Sequence, residues 1–202
     1  MPPDASHFKL HLIRDFIDSV TRAEIVAELD NAAANPATIY GRGDSASVDE
    51  RTRKAELLIP DPKTVATITS RLLDAMEEIG SHFGLQLTSC EDPQFLRYQV
   101  GGFFVAHQDG NTGMLRSERE QRRKISVIIF LNQQSETVES GCYSGGDLVF
   151  SEWRRGRNYG QFHLRGEAGT LVAFPSETTH EVIPVTHGER YSIASWYGQT
   201  PS

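Results

Sequence analysis

The chain has 202 residues, 38% of them hydrophobic and 23% charged, the make-up of an ordinary globular protein long enough for one sizeable core. A net charge of −7 argues against a phosphate-backbone binder, so no nucleic-acid partner is expected. No apolar stretch is long enough to span a membrane, MPPDASHFKL lacks a signal peptide's apolar core, and Cys90 and Cys142 alone make no disulfide framework; the expected setting is cytoplasmic, with no membrane partner.

Two helices are expected first. TRAEIVAELDNAAA opens with Thr21 and Glu24 at capping-box spacing and carries Ile25 and Leu29 on one face. DPKTVATITSRLLDAMEEIGSHFG places Asp61 at an N-cap, Pro62 at the first helical position and Gly84 at the stop. Between them Val65, Ile68, Leu72, Met76, Ile79 and Phe83 recur at helical spacing. IYGRGDSASVDERTRK, which joins the two helices, is polar and contains glycine, the signature of a mobile loop.

After Cys90 the period changes. QFLRYQV, GFFVAHQD, KISVIIFLN, GDLVF, GQFHL, GTLVAF, HEVIPV and RYSIASWYG are short, rich in β-branched and aromatic residues, and separated by Gly, Asn and Ser. Eight such segments predict an α+β, mainly β chain: a barrel or two-sheet jelly roll with the helices packed outside.

Within FFVAHQDGN, His107 and Asp109 stand two apart at the end of a strand, so their side chains share a face. The pair alone is weak evidence, because a short motif of common residues recurs by chance. His180 opens an apolar strand some seventy residues later, and Arg190 starts the next one. Two histidines and a carboxylate are the ligand set of a facial iron(II) site with open positions, although zinc accepts the same ligands. Arg190 favours iron chemistry, since a keto-acid cosubstrate such as 2-oxoglutarate needs a partner for its distal carboxylate, and a guanidinium offers paired, charge-assisted hydrogen bonds. For His180 and Arg190 to share an inner face, strands 180–184 and 190–197 should form an antiparallel hairpin around VTHGE, with Pro184 opposite Arg190.

From about Phe95 to Gly198, on RYQVGGFFVAHQD, RKISVIIFLN, SGGDLVF, GTLVAFPSETTHEVIPV and GERYSIASWYG, the chain resembles the 2-oxoglutarate- and Fe(II)-dependent dioxygenases, in particular their prolyl 4-hydroxylase-like branch. The resemblance implies a single dioxygenase domain over 1–202. In it a double-stranded β-helix (jelly-roll) core at 91–202 is supported by helices and a lid loop at 1–90. It further implies that His107, Asp109 and His180 bind Fe(II), that Arg190 holds the 2-oxoglutarate carboxylate, and that Tyr98 lines the site with Trp196 behind it. The implied reaction hydroxylates an unactivated C–H bond of a peptide, protein or small-molecule substrate, a prolyl residue first among them. It consumes 2-oxoglutarate and O2, releases succinate and CO2, and can call on ascorbate as reductant.

Some relatives carry a tyrosine where this chain has Phe130, so one hydroxyl donor to the oxoglutarate carboxylate is missing; Ser192, Ser126 or water could replace it. Phe103, Phe104, Ile128 and Phe130 are candidates to keep the pocket dry. In the lid loop, Tyr40, Arg42, Asp44 and Arg53 are candidate substrate contacts, and the Arg-rich MLRSEREQRRK and EWRRGRNYGQFHLRG could meet an anionic or peptide substrate. Three alternatives stand beside this reading. They are a hydroxylase of a free amino acid or natural-product intermediate, a non-catalytic metal-binding β-barrel sensor, and a zinc hydrolase using Glu177 or Glu181 as base.

Overall fold

Asp18, not Thr21, caps the first helix. In the computed structural model, which describes residues 6–37, 39–40, 46–47, 51–110, 118–154 and 157–199, helix α1 is Ser19–Leu29. The Asp18 carboxylate accepts from the Thr21 backbone N–H at 2.9 Å and from its hydroxyl at 2.7 Å. A carboxylate is an acceptor only, whereas Thr21 spends its hydroxyl as a donor, so the cap moves to the acid. The alanines after α1 are not helical. They enter strand β2 (Ala33–Pro36), which follows β1 (His11–Ile13) and pairs with β6 (Glu56–Ile59). Helix α2 (Pro62–Phe83) meets its expectations: Asp61 caps it, Pro62 starts it, and Gly84 ends it at φ +67°.

Between β2 and β6 lie the short strands β3 (Ile39–Tyr40), β4 (Ala46–Ser47) and β5 (Arg53–Lys54). After α2 come β7 (Ser89–Cys90), β8 (Gln94–Tyr98), β9 (Phe103–His107), the short helix α3 (Glu118–Arg122) and β10 (Arg123–Phe130). Next are β11 (Ser144–Gly145), β12 (Leu148–Arg154) and β13 (Arg157–Leu164). The last four are β14 (Leu171–Pro175), β15 (Thr179–Val182), β16 (Val185–His187) and β17 (Arg190–Gly198).

Two antiparallel sheets carry the fold. The larger has eight strands in the order β1-β14-β10-β17-β8-β6-β2, with β7 added beside β17; the smaller has five, β13-β12-β15-β9-β5. This is the jelly-roll core with its helices outside. All nine residues of β17 are buried, and its alternation divides them. Tyr191, Ile193 and Tyr197 join Ile125, Val127 and Ile129 of β10, and Ile68, Leu72 and Ile79 of α2, in a helix-side core. Ala194 and Trp196 face the other way, into a second core with Leu96, Tyr98, Phe130, Phe150 and Phe174 between the sheets. Tyr197 fixes helix to sheet by donating its hydroxyl to the Leu72 carbonyl at 2.6 Å.

The expected hairpin between strands 180–184 and 190–197 does not form. β15 pairs with β12 and β9 in the smaller sheet, while β17 pairs with β10, β8 and β7 in the larger. Pro184, which has no N–H for a ladder, ends the strand of His180; the chain then crosses between sheets, with Val185 and Gly101 bonded backbone to backbone at 2.8 Å. His180 and Arg190 therefore meet from facing sheets rather than from neighbouring strands. Among the described residues no helix is long and apolar enough to cross a membrane.

Capping and hydrogen bonding by Thr21 hold the Asp18 carboxyl down at about 2, against 3.8 without them. A depressed folded-state pKa contributes stability that is present above the unfolded value and lost as pH falls through the folded one. Asp18→Ala should thus melt below the parent at pH 7, by roughly 2–4 °C, and the gap should close between about pH 4 and pH 2. Thermal melts across that range check it.

Candidate active site

β9 and β15 are neighbours, with His107 directly opposite His180, and Asp109 lies just beyond the end of β9. Backbone N–H groups of Asp109 and Gly110 both donate to the Ser176 carbonyl, at 3.0 and 3.1 Å, which fixes that turn. The donor atoms of His107, Asp109 and His180 then lie within 4.8 Å of one another. His107 Nε2 is 3.5 Å from Asp109 Oδ1, and His180 Nε2 is 3.5 Å from Asp109 Oδ2.

The protons are assigned by what lies behind each ring. Nδ1 of His107 is 2.9 Å from the Val105 carbonyl, and Nδ1 of His180 is 2.9 Å from the Thr178 carbonyl. A carbonyl only accepts, so Nδ1 carries a proton in both rings, which leaves Nε2, directed at Asp109, as the atom either ring would offer a metal. Burial, with the nearby His107, pushes the His180 imidazole down to about 4, so it is neutral near pH 7. Burial alone would raise the Asp109 carboxyl, but the histidines beside it hold it far below its ordinary range. Ser126 adds a hydroxyl donated to Asp109 Oδ2 at 2.7 Å. Three ligand atoms converging this closely fit a divalent cation, and the donor set suits Fe(II) or zinc.

The cluster opens on a cavity of about 180 Å³ between the sheets. Its other wall is β17 and β8, whose inward residues Arg190, Ser192, Ala194, Trp196, Gln94, Leu96 and Tyr98 all line it. Register pairs Arg190 with Tyr98 and Ser192 with Leu96. Arg190 is 1% exposed. It donates from Nη1 to Ser192 Oγ at 2.7 Å and packs against the rings of Tyr98 and Phe130, with their centroids 5.1 and 5.3 Å from Cζ. Among the described residues it has no carboxylate partner.

Of the two serines offered as replacement donors, Ser192 is therefore the one beside Arg190, and Ser126 serves Asp109. Phe104 and Ile128 line the cavity as expected, whereas Phe103 and Phe130 do not. Phe104 lies flat on His107 at 3.6 Å, and Arg53 stacks over Phe104 at 4.7 Å, so this lid-loop arginine does reach the cavity. Tyr40 lies in β3, opposite Ala46 of β4, while Arg42 and Asp44 lie outside the described residues. The side chains of residues 153–159, within EWRRGRNYGQFHLRG, do as well.

Several lining residues escaped sequence reasoning. Gln94 stands two residues before Leu96 on the inward face of β8, so its strand period was the signal that could have found it. Arg123, from the other Arg-rich segment, lies 3.8 Å over the Trp196 ring and bonds Glu91 through two nitrogens at 2.7 and 2.8 Å. Its charge is thereby spoken for. Glu120 and Thr52 also line the cavity, from positions with no period to betray them; Glu177 and Glu181 do not line it.

A jelly roll holding two histidines, a carboxylate and a facing arginine defines the class of non-haem iron oxygenases that use a keto acid. Comparison with known proteins makes the family definite. Residues 93–198 match the model of the 2OG-Fe(II) oxygenase superfamily, and the chain belongs to that superfamily. The family implies Fe(II) as cofactor, with 2-oxoglutarate and O2 as cosubstrates.

A PKHD-type hydroxylase of Stenotrophomonas maltophilia is 35% identical over 104 residues, covering 52% of this chain and 41% of the relative. One from Klebsiella pneumoniae is 28% identical over 184 residues, covering 89% and 76%. The chain thus spans well under two thirds of the first of these relatives. Among solved structures, a prolyl-4-hydroxylase of Pseudomonas putida shares the fold at TM-score 0.65 and 22% identity, covering 98% of this chain and 96% of that one. A Trichoplax adhaerens prolyl hydroxylase, in complex with a hypoxia inducible factor peptide fragment, does so at 0.67 and 17%, covering 96% and 85%.

Ser126→Ala leaves Asp109 without its hydroxyl donor. Loss of such a support around a metal ligand typically costs 10- to 100-fold in affinity, so Fe(II) titration of the anaerobic variant should show binding weaker by at least about tenfold, at unchanged secondary structure.

Proposed function

We propose that the protein is an Fe(II)- and 2-oxoglutarate-dependent hydroxylase acting on an unactivated C–H bond, with a prolyl residue of a peptide as its first-choice substrate. His107, Asp109 and His180 bind the iron and Arg190 binds the C5 carboxylate of 2-oxoglutarate. The observation that carries this reading is the buried charge of Arg190, which faces the His–Asp–His cluster across the cavity with no carboxylate of the described chain to neutralise it. Burying an unpaired cation is costly, and a dicarboxylate bound to both walls offsets that cost. A plain metal sensor has no use for a cation at that spot.

The bound metal supplies the oxidative chemistry, coupling conversion of 2-oxoglutarate and O2 into succinate and CO2 to hydroxylation of the substrate. Residues of the chain have quieter tasks. Arg190, with Ser192, fixes the distal carboxylate; Ser126 and the Val105 and Thr178 carbonyls keep the three donors aimed; Phe104, Ile128 and Leu148 keep water out. Ascorbate would serve to keep the iron ferrous.

A peptide substrate draws support from the peptide-bound relative and from a second cavity, of about 230 Å³, on the far side of Arg53. Arg53 lines both cavities, so an extended chain entering the first has a place for its flank in the second. We place the reaction in the cytoplasm, where the free Cys90 and Cys142 would stay reduced.

Anaerobic Fe(II) protein should develop a weak visible absorption band on adding 2-oxoglutarate, and should release succinate in air. Arg190→Ala should lose the band at parent-saturating 2-oxoglutarate, with affinity down by about two orders of magnitude. No band in the parent, or an unaffected variant, would overturn the cosubstrate assignment. Substrate-stimulated succinate release, screened over proline-containing peptides and free amino acids, tests the substrate class.

A further inference from the structure

The segment between β10 and β11 contributes no residue to the cavity, yet it carries a large side chain that the hydroxylase reading leaves without a task. Tyr143 is fully buried. Its backbone is clamped on both sides: Tyr143 N donates to the Gln133 carbonyl at 3.1 Å, and Ser135 N donates to the Tyr143 carbonyl at 2.8 Å. Its phenol oxygen makes no hydrogen bond in ordinary geometry, and neither does Nε of Arg190, although both atoms are buried. An unmet buried polar atom calls for an explanation. Here the two are a donor and an acceptor on adjoining side chains.

Glycines show how closely they adjoin. A Cβ built on Gly146 would lie 3.1 Å from Arg190 Cδ and 3.2 Å from Tyr143 Cε2, so the two side chains pack against the same backbone atom. On the far side, a Cβ on Gly166 would fall 1.9 Å from the Tyr143 oxygen and 3.0 Å from Phe130 Cδ1. Space for that hydroxyl is therefore kept by the absence of a single methyl group. Burial pushes the phenol pKa up, and the Arg190 charge beside it pulls the other way. Phe130, which also packs on Arg190, offers no oxygen.

We infer that Tyr143 is a positioning residue for Arg190. Its phenol oxygen accepts from the guanidinium on the side away from the cavity, as Ser192 does at Nη1, and so turns the remaining N–H groups of Arg190 toward the bound carboxylate. Tyr143 does not line the cavity. The inference rests on the reading of Arg190 as the dicarboxylate anchor.

Calorimetric titration of the anaerobic Fe(II) protein with 2-oxoglutarate tests it in three variants beside the parent. Tyr143→Phe, which keeps the ring and the packing, should weaken 2-oxoglutarate binding about tenfold and raise its KM in step, while kcat at saturation stays within about twofold and Fe(II) affinity is unchanged. Gly166→Ala, which keeps the hydroxyl but displaces it, should reproduce the loss. Arg190→Ala marks complete removal of the anchor. A Tyr143→Phe protein that binds 2-oxoglutarate as the parent does, while Arg190→Ala does not bind it, overturns the role of Tyr143 and spares that of Arg190. A lower melting temperature with parent-like binding makes Tyr143 a core residue only, and also overturns it. A parent that does not bind 2-oxoglutarate overturns both.

Discussion

A strand buried on both faces has to satisfy two environments with one alternating sequence, and β17 is that strand. Its odd-numbered aromatic and aliphatic residues anchor the helices, and its even-numbered residues, Arg190, Ser192, Ala194 and Trp196, build one wall of the cavity. A shift of register by one residue would exchange the two sets, placing a guanidinium against α2 and Ile193 in the site. Such an error is so costly that the register of the larger sheet is fixed by helix packing as much as by the ladder itself. The site inherits its geometry from a core it does not touch.

The electrostatic arrangement follows from the two walls. One presents a carboxylate between two imidazoles, the other a guanidinium with hydroxyl and aromatic neighbours, and each is incomplete alone. Asp109 and the two histidines bring three ligand atoms within 4.8 Å of one another, and Arg190 has charge without a counter-charge among the described residues. Their opposite needs, for a cation on one wall and an anion on the other, are what the proposed cosubstrate, chelating a metal at one end and ending in a carboxylate at the other, would meet.

Much of this was legible in the sequence where the physics is local. Asp61, Pro62 and Gly84 marked α2 because caps and stops depend on neighbours along the chain. The eight core strands followed from β-branched and aromatic runs set between turn residues, and the shared face of His107 and Asp109 from the period of two. What misled was adjacency: strands joined by a short turn usually pair, and the residues around Pro184 broke that expectation by crossing between sheets. The N-cap at Asp18 went unread because Thr21 and Glu24 offered an equally good local pattern three residues later. Tyr143, Glu120 and Thr52 lie in stretches without periodicity, where only three-dimensional contact assigns a task.

The crossing between sheets has a consequence for the molecule as a whole. His180 and Arg190 are ten positions apart but sit in opposite layers, so a ligand gripping both acts as an internal cross-link between the layers. Its binding energy is then shared by the entire sandwich. Occupancy of the cavity and resistance to unfolding become two measures of one equilibrium, with stability rising as the logarithm of ligand concentration above the dissociation constant.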